Sequence, residues 1–173
     1  MTSHRLVLLR HAKAEHTDAV VDHARPLAIP GRRQATAVGG ALAASGHAPD
    51  HVLCSSALRT RQTWDLVRLA LTAAGAPEPP ADVSDDLYDA GTGDLLDLVR
   101  SVPEDVRTLL VVGHEPTVSH VAAALAGPGS DEAVTARVRV GVPTAAWSVL
   151  EIDGPWQQTA PGGARLTGLH VPA

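Results

Sequence analysis

Two stretches of this chain are apolar without interruption, Leu6-Val7-Leu8-Leu9 and Leu109-Leu110-Val111-Val112. Successive side chains of a β-strand point to opposite faces, so a run with no polar alternate must be covered on both sides. That requires a sheet with helices packed above and below it. Shorter runs supply further strands: "HVLCS" (His51 to Ser55), the region of Val83, and the late segments "AAWSVLEID" and "ARLTGLHV". Helical spacing appears between them. Pro30-Gly31 opens a helix with Ala35, Val38 and Leu42 on one side and Gly46 as its stop. Ser55 and Ser56 are positioned to cap a second helix, with pocket lining as their secondary reading; the inward stripe of that helix is Trp64, Val67, Leu71 and Ala74. A short helix starts near Asp94, and Pro116 suits the first turn of another that runs through Leu125. Ala12 to about Ala28, "GAPEPPAD" and "GPWQQTAPGG" read as loops. Strands alternating with helices predict an α/β fold, a three-layer α/β/α sandwich around a mostly parallel sheet, as one domain over 1–173.

Composition narrows the partners. The 173 residues are 45% hydrophobic and 19% charged, a globular balance. A net charge of −5 gives no basic field for nucleic acid or an anionic membrane. The apolar run near the N-terminus is too short for a signal segment, and no window approaches the ~18 apolar residues of a span. A cytoplasmic protein, with no nucleic-acid and no membrane partner, is the expectation; the oligomeric state is open. The single cysteine, Cys54, excludes an internal disulfide and a cysteine-based zinc site.

Ligands of an open α/β sheet bind at the carboxyl ends of its strands. The first strand exits into Arg10-His11, the second into Ser55-Ser56 with Arg59 a turn later, and the Leu109–Val112 run into Gly113-His114-Glu115. If these strands are neighbours, two arginines and two histidines meet on one rim. Guanidinium forks match phosphate oxygens and hold their charge at any working pH. A helix N-terminus near Arg59 adds a further anion preference. A neutral imidazole is a competent nucleophile near pH 7. These residues by themselves point to a phosphate site with a histidine nucleophile, without saying which histidine attacks. Each taken alone has a bland reading, as surface charge or a packed histidine; their order along the chain outweighs it. His4, His16, His23, His47, His51, His120 and His170 are read as surface or structural, and Trp64, Trp147 and Trp156 as packing.

The segments "LLRHAKAE", "PLAIPGRRQA", "CSSALRTRQT" and "VVGHEPT" resemble, in that order, the motifs of the histidine phosphatase superfamily, the phosphoglycerate mutase-like or RHG family. The short chain, "RHA" in place of "RHG" and the "DLYDAG" segment look most similar to its SixA branch of phosphohistidine phosphatases. The resemblance implies a phosphoglycerate mutase-like fold and a hydrolase that needs neither cofactor nor metal. It makes His11 the nucleophile, Arg10 and Arg59 the phosphoryl ligands and His114 the fourth member of the pocket. It offers two positions for a proton donor, Glu115 directly after the second histidine and Asp89 in "LYDAG". Where mutase-like members carry a phosphate-binding asparagine this chain has Thr17, with Lys13 nearby. The implied substrate is a phosphorylated protein or a small phosphorylated metabolite, and an unclear acid favours a phosphoramidate, whose imidazole departs more easily than an alkoxide.

Three rivals have sequence features of their own. A cysteine phosphatase would use Cys54, but four residues separate it from Arg59 and six from Arg61, and the loop lacks glycine. A zincin-like "HEPTVSH" has Val118 where H-E-x-x-H needs a histidine. A catalytically silent phosphate-binding module would keep the pocket without turnover. Within the enzyme class, a sugar-phosphate or nucleotide phosphatase is the alternative, though the chain has little room for a cap.

Overall fold

The computed structural model describes residues 3–173; the first two residues of the span expected as one domain lie outside the described residues. The chain begins with β1 (Ser3–Arg10), then α1 (Ile29–Ala44), β2 (His51–Ser55), α2 (Leu58–Ala73) and β3 (Ala81–Ser84). Next come α3 (Asp85–Asp89), α4 (Thr92–Arg100), β4 (Thr108–Gly113), α5 (Thr117–Leu125) and α6 (Glu132–Arg139). It closes with β5 (Trp147–Asp153) and β6 (Ala164–His170). The strands form one sheet in the order β3-β2-β4-β1-β5-β6. The first four of that order are parallel, while β5 and β6 are antiparallel additions on the β1 side. The result is a mixed α/β sandwich.

The uninterrupted apolar runs do what their pattern demands. Leu6, Leu8, Leu109 and Val111 enter a core with α4 and α5, whereas Val7, Leu9, Leu110 and Val112 enter a second core with α1 and α2. Because both faces of β1 are apolar, hydrophobicity alone does not choose between registers one residue apart. Polar anchors at the strand ends do. Arg5 N–H donates to the Arg107 carbonyl (2.8 Å), Arg10 N–H to Ala146 (3.0 Å) and His11 N–H to Gly113 (3.0 Å). Connections from β1 and β2 leave to the α1/α2 face and the one from β4 to the opposite face, so a crevice opens where these strand ends meet.

Some local readings are corrected. Neither Ser55 nor Ser56 caps α2: Ala57 holds the N-cap position with no side-chain bond, and both serines are engaged elsewhere. Ala74 is exposed at the C-cap of α2 rather than part of its inward stripe. Two helices, α3 and α6, sit in stretches to which the sequence reading assigned no element. Ser84 caps α3, its hydroxyl accepting from Leu87 N–H, and Asp131 caps α6, accepting from Val134 N–H. Inside the "GPWQQTAPGG" loop a 3-10 turn (Trp156–Gln158) buries Trp156 completely, its indole N–H donating to the Val106 carbonyl.

Candidate active site

His11 leaves the end of β1 and is held from three sides. Its N–H is bonded to β4, its carbonyl accepts from Ala145 N–H (3.0 Å), and the next residue, Ala12, donates to Thr63 Oγ1 on α2 (3.0 Å). Ala145 is buried at a φ of 61°, left-handed backbone that costs a residue with a Cβ roughly 1 kcal/mol. That conformation aims its N–H at the His11 carbonyl. Loop placement depends on Gly31 too, since a Cβ there would lie 2.0 Å from the Lys13 carbonyl oxygen.

Within this frame the side chain of His11 is buried, at 8% exposure, and its Nδ1 lies 2.8 Å from the carbonyl oxygen of Ala12. A carbonyl only accepts, so Nδ1 carries the proton and Nε2 keeps its lone pair in the neutral ring. Burial is the main cause that lowers the His11 pKa to about 4; the Ala12 bond opposes it, and Arg59, Arg10 and Arg25 add to the fall. His11 is therefore a neutral ring at neutral pH, with the Nε2 lone pair unprotonated.

The other predicted residues converge on it. The rings of His11 and His114 are 5.4 Å apart, and Arg10, His11, Arg59, His114 and Glu115 line one cavity of about 510 Å³ with Lys13 at its edge. Arg10 is anchored through NH1 to the Val142 carbonyl (2.8 Å). The buried Nε atoms of Arg10 and Arg59 have no partner within the protein. Such donors, beside cationic groups, suit an anion with several acceptor oxygens. His114 has a pKa lowered to about 3, chiefly by burial and then by His11 and Arg59. Its Nδ1 accepts from Arg59 NH2 (3.4 Å), which leaves the Nε2 proton to be donated to Ser55 Oγ (2.7 Å).

The two proton-donor candidates separate. Glu115 lines the cavity, with Oε2 accepting from Ser119 (2.6 Å) and Oε1 buried without a partner. Asp89 lies outside that cavity, lining an acidic hollow with Asp85, Asp86, Asp94 and Asp97. The "LYDAG" segment reaches the site one residue earlier. The Tyr88 ring stands edge-on to His114 at 5.6 Å, and its hydroxyl donates to Asp22 Oδ2 (2.8 Å). Thr17 lines a neighbouring hollow of about 540 Å³ that shares His16 and Arg25 with the main cavity. Ser56 donates to Asp85 and lies 2.8 Å from His23 Nε2.

Asp22, Tyr88 and Ser55 are the members of this site that sequence reasoning missed or misread. Asp22 receives both terminal nitrogens of Arg59: NH1 donates to its carbonyl (2.8 Å) and NH2 to Oδ2 (3.0 Å). Its other oxygen, Oδ1, takes Arg25 (2.9 Å). The Tyr88 hydroxyl, followed by the Arg59 guanidinium, holds the Asp22 pKa down at about 2. Asp22 is thus ionised at neutral pH. Cys54 is fully buried among the α1/α2 core residues, and burial pushes its thiol up to about 12, which removes it as a thiolate nucleophile.

The profile of the histidine phosphatase superfamily (branch 1) matches residues 6–104. An uncharacterized protein of Mycobacterium tuberculosis (strain ATCC 25618 / H37Rv) is 45% identical over 165 residues, covering 95% of this chain and 99% of its own. Among solved structures, a Nakamurella multipartitia protein assigned as phosphohistidine phosphatase SixA superposes with a TM-score of 0.79 at 38% identity, over 98% of this chain and 96% of that one. An Escherichia coli K-12 protein assigned as an alpha-ribazole-5'-P phosphatase shares the fold, with a TM-score of 0.64 at 22% identity over 97% of each chain.

Proposed function

This chain belongs to the histidine phosphatase superfamily, on its SixA-like side, and from that premise we propose that it is a phosphohistidine phosphatase working through a covalent phosphohistidine on His11. The observation that carries the reading is the His11 ring itself. It is neutral, its Nδ1 proton is committed to Ala12, and it sits in a cavity with both arginines and His114.

In the proposed cycle the phosphoryl oxygens take the free Nε donors of Arg10 and Arg59. His11 Nε2 attacks phosphorus, the new P–N bond forms, and the bond to the leaving group breaks. Charge on the equatorial oxygens is met by the guanidiniums and by His114. For His114 to share in this it carries its proton on Nδ1: a proton is taken from water at Nδ1 and the one on Nε2 leaves to water through Ser55, whose hydroxyl then donates to Nε2. The phosphoryl group replaces Nδ1 as acceptor of the Arg59 NH2 hydrogen, and Nδ1–H of His114 faces the anion. Water next attacks the phosphohistidine, releasing phosphate and regenerating neutral His11.

The substrate class follows from the leaving group. An alkoxide needs a proton as it departs; Glu115 is the donor for esters, because it lines the cavity and Asp89 does not. An imidazole leaving a phosphoramidate needs less help, so phosphohistidine on a protein is the favoured substrate, a reading that the likeness to the Nakamurella protein supports.

A panel of phosphohistidine protein, phosphoserine peptide and sugar phosphates tests this, with wild type, His11→Ala, Glu115→Gln and Asp89→Asn. Wild type is expected to turn over phosphohistidine fastest, and Glu115→Gln to slow the esters by about 10²–10⁴-fold while sparing phosphohistidine. Asp89→Asn is expected to change neither. Preference for a sugar phosphate would replace the proposal with a small-molecule phosphatase, and phosphate binding without any turnover would reduce it to a silent module.

A further inference from the structure

Arg59 lies at the foot of α2 and Asp22 in the loop after β1, yet the fork formed by the two terminal nitrogens of Arg59 closes on Asp22. A guanidinium is planar, so fixing that end fixes the direction of its remaining edge. The edge left over is made by Nε and by the second NH2 hydrogen, which points at His114 Nδ1. Asp22 is in turn immobilised from outside: Tyr88 donates to Oδ2, and Arg25, itself tied to the Glu15 carbonyl, takes Oδ1. Every carboxylate oxygen of Asp22 therefore has a partner that restrains it. The geometry points to Asp22 as a positioning residue: buttressed by Tyr88 and Arg25, it grips the end of Arg59 so that the Nε/NH2 edge is presented to a phosphoryl group. This rests on the phosphatase reading for the identity of the anion and adds to it a residue with no role in the motifs that mark the family resemblance.

The assignment makes a prediction whose sign is unusual. A carboxylate near an anion site repels the anion, so its removal should tighten phosphate binding if charge alone matters. If the Asp22 carboxylate orients Arg59, its removal should weaken binding instead, because a guanidinium left with only the NH1 bond to the backbone carbonyl of residue 22 can turn about that bond and must be ordered at the moment of binding. Inorganic phosphate binding is measured by calorimetry, and aryl phosphate turnover by steady-state kinetics. Asp22→Ala is expected to weaken phosphate by about tenfold, the value of one charge-assisted bond, and to raise KM in parallel. Asp22→Asn, which keeps a carbonyl oxygen for Arg59 without the charge, is expected to recover most of that loss. Tyr88→Phe, which keeps the ring and removes the bond to Asp22 Oδ2, is expected to weaken phosphate in the same direction by a smaller factor.

Unchanged or tighter phosphate binding by Asp22→Ala overturns the assignment. So does a failure of Asp22→Asn to improve on Asp22→Ala when the two melt at the same temperature. If Asp22→Ala does not fold, Asp22→Asn and Tyr88→Phe decide: wild-type affinity in Tyr88→Phe with tighter binding in Asp22→Asn rejects positioning. The two readings fail separately. A wild type that binds phosphate but hydrolyses nothing ends the phosphatase proposal, while the calorimetric series still judges Asp22.

Discussion

His4 and His11 lie seven residues apart, near the two ends of one strand, and both are nearly closed to solvent, at 1% and 8% exposure. Burial does not tell them apart; their ring nitrogens do. His4 turns Nδ1 to the Gly154 carbonyl (2.8 Å) and Nε2 to the Glu104 carbonyl (3.3 Å), with its ring tilted against Trp156 at 4.7 Å. Both nitrogens face acceptors of the protein. His11 spends only Nδ1, and its other nitrogen belongs to a cavity shared with two guanidiniums and a second imidazole. A buried histidine becomes a candidate nucleophile when one nitrogen is held by the protein and the other is kept free of it. The lower end of β1 turns both nitrogens of its histidine to the protein, and the upper end leaves one of them to the cavity.

The largest expected effect tests that division directly. His11→Ala should lower turnover of an aryl phosphate by at least about 10³-fold with the fold intact by circular dichroism. His4→Ala should do the opposite: it removes packing on Trp156 and the hydrogen bonding of the ring to the backbone, costing about 2–4 kcal/mol in urea unfolding, with kcat/KM unchanged. A His4 variant that kept its stability and lost activity would break the comparison.

A smaller effect concerns acid. His11 and His114 have folded-state pKa values of about 4 and about 3, below the usual histidine value of 6.5, because burial disfavours their charged forms. The unfolded chain takes up protons on these rings as pH falls below about 6.5, while the folded chain resists until about 4 or lower. Their neutral burial is therefore without cost above about pH 6.5, and stability falls as pH drops from there toward 4. Urea midpoints at about pH 7 and about pH 4.5 should show wild type losing more than His11→Ala or His114→Ala over that interval. Equal losses in all three proteins would place the acid sensitivity elsewhere.

The smallest effect is at Cys54, whose thiol sits in the α1/α2 core and donates to the Ser55 carbonyl. Cys54→Ser should cost about 1 kcal/mol and leave aryl phosphate turnover as it was. Loss of activity at full stability would return the cysteine to the mechanism.

Much of this was legible in one dimension. The apolar runs at Leu6–Leu9 and Leu109–Val112 demanded a two-sided sheet, and His11, Arg10, Arg59 and His114 stood at strand exits or one turn beyond. Two helices were missed for a local reason. α3 and α6 show few buried apolar positions, Leu87 in one and Val138 in the other, so they carry almost no periodic signal and are marked mainly by the caps at Ser84 and Asp131. Ser55 was misread because a serine before a helix has two possible uses, and only the fold brings His114 within 2.7 Å of it.

The sequence by itself determined which chemical groups would be available at the sheet edge, since periodicity and strand ends are properties of neighbouring residues. It did not determine how those groups are restrained. Asp22 meets Arg59 across 37 residues of chain and Tyr88 across 66, and Glu115 rather than Asp89 faces the cavity. Such pairings depend on where loops from separate strands come to rest, and only the packing of the whole sandwich fixes that.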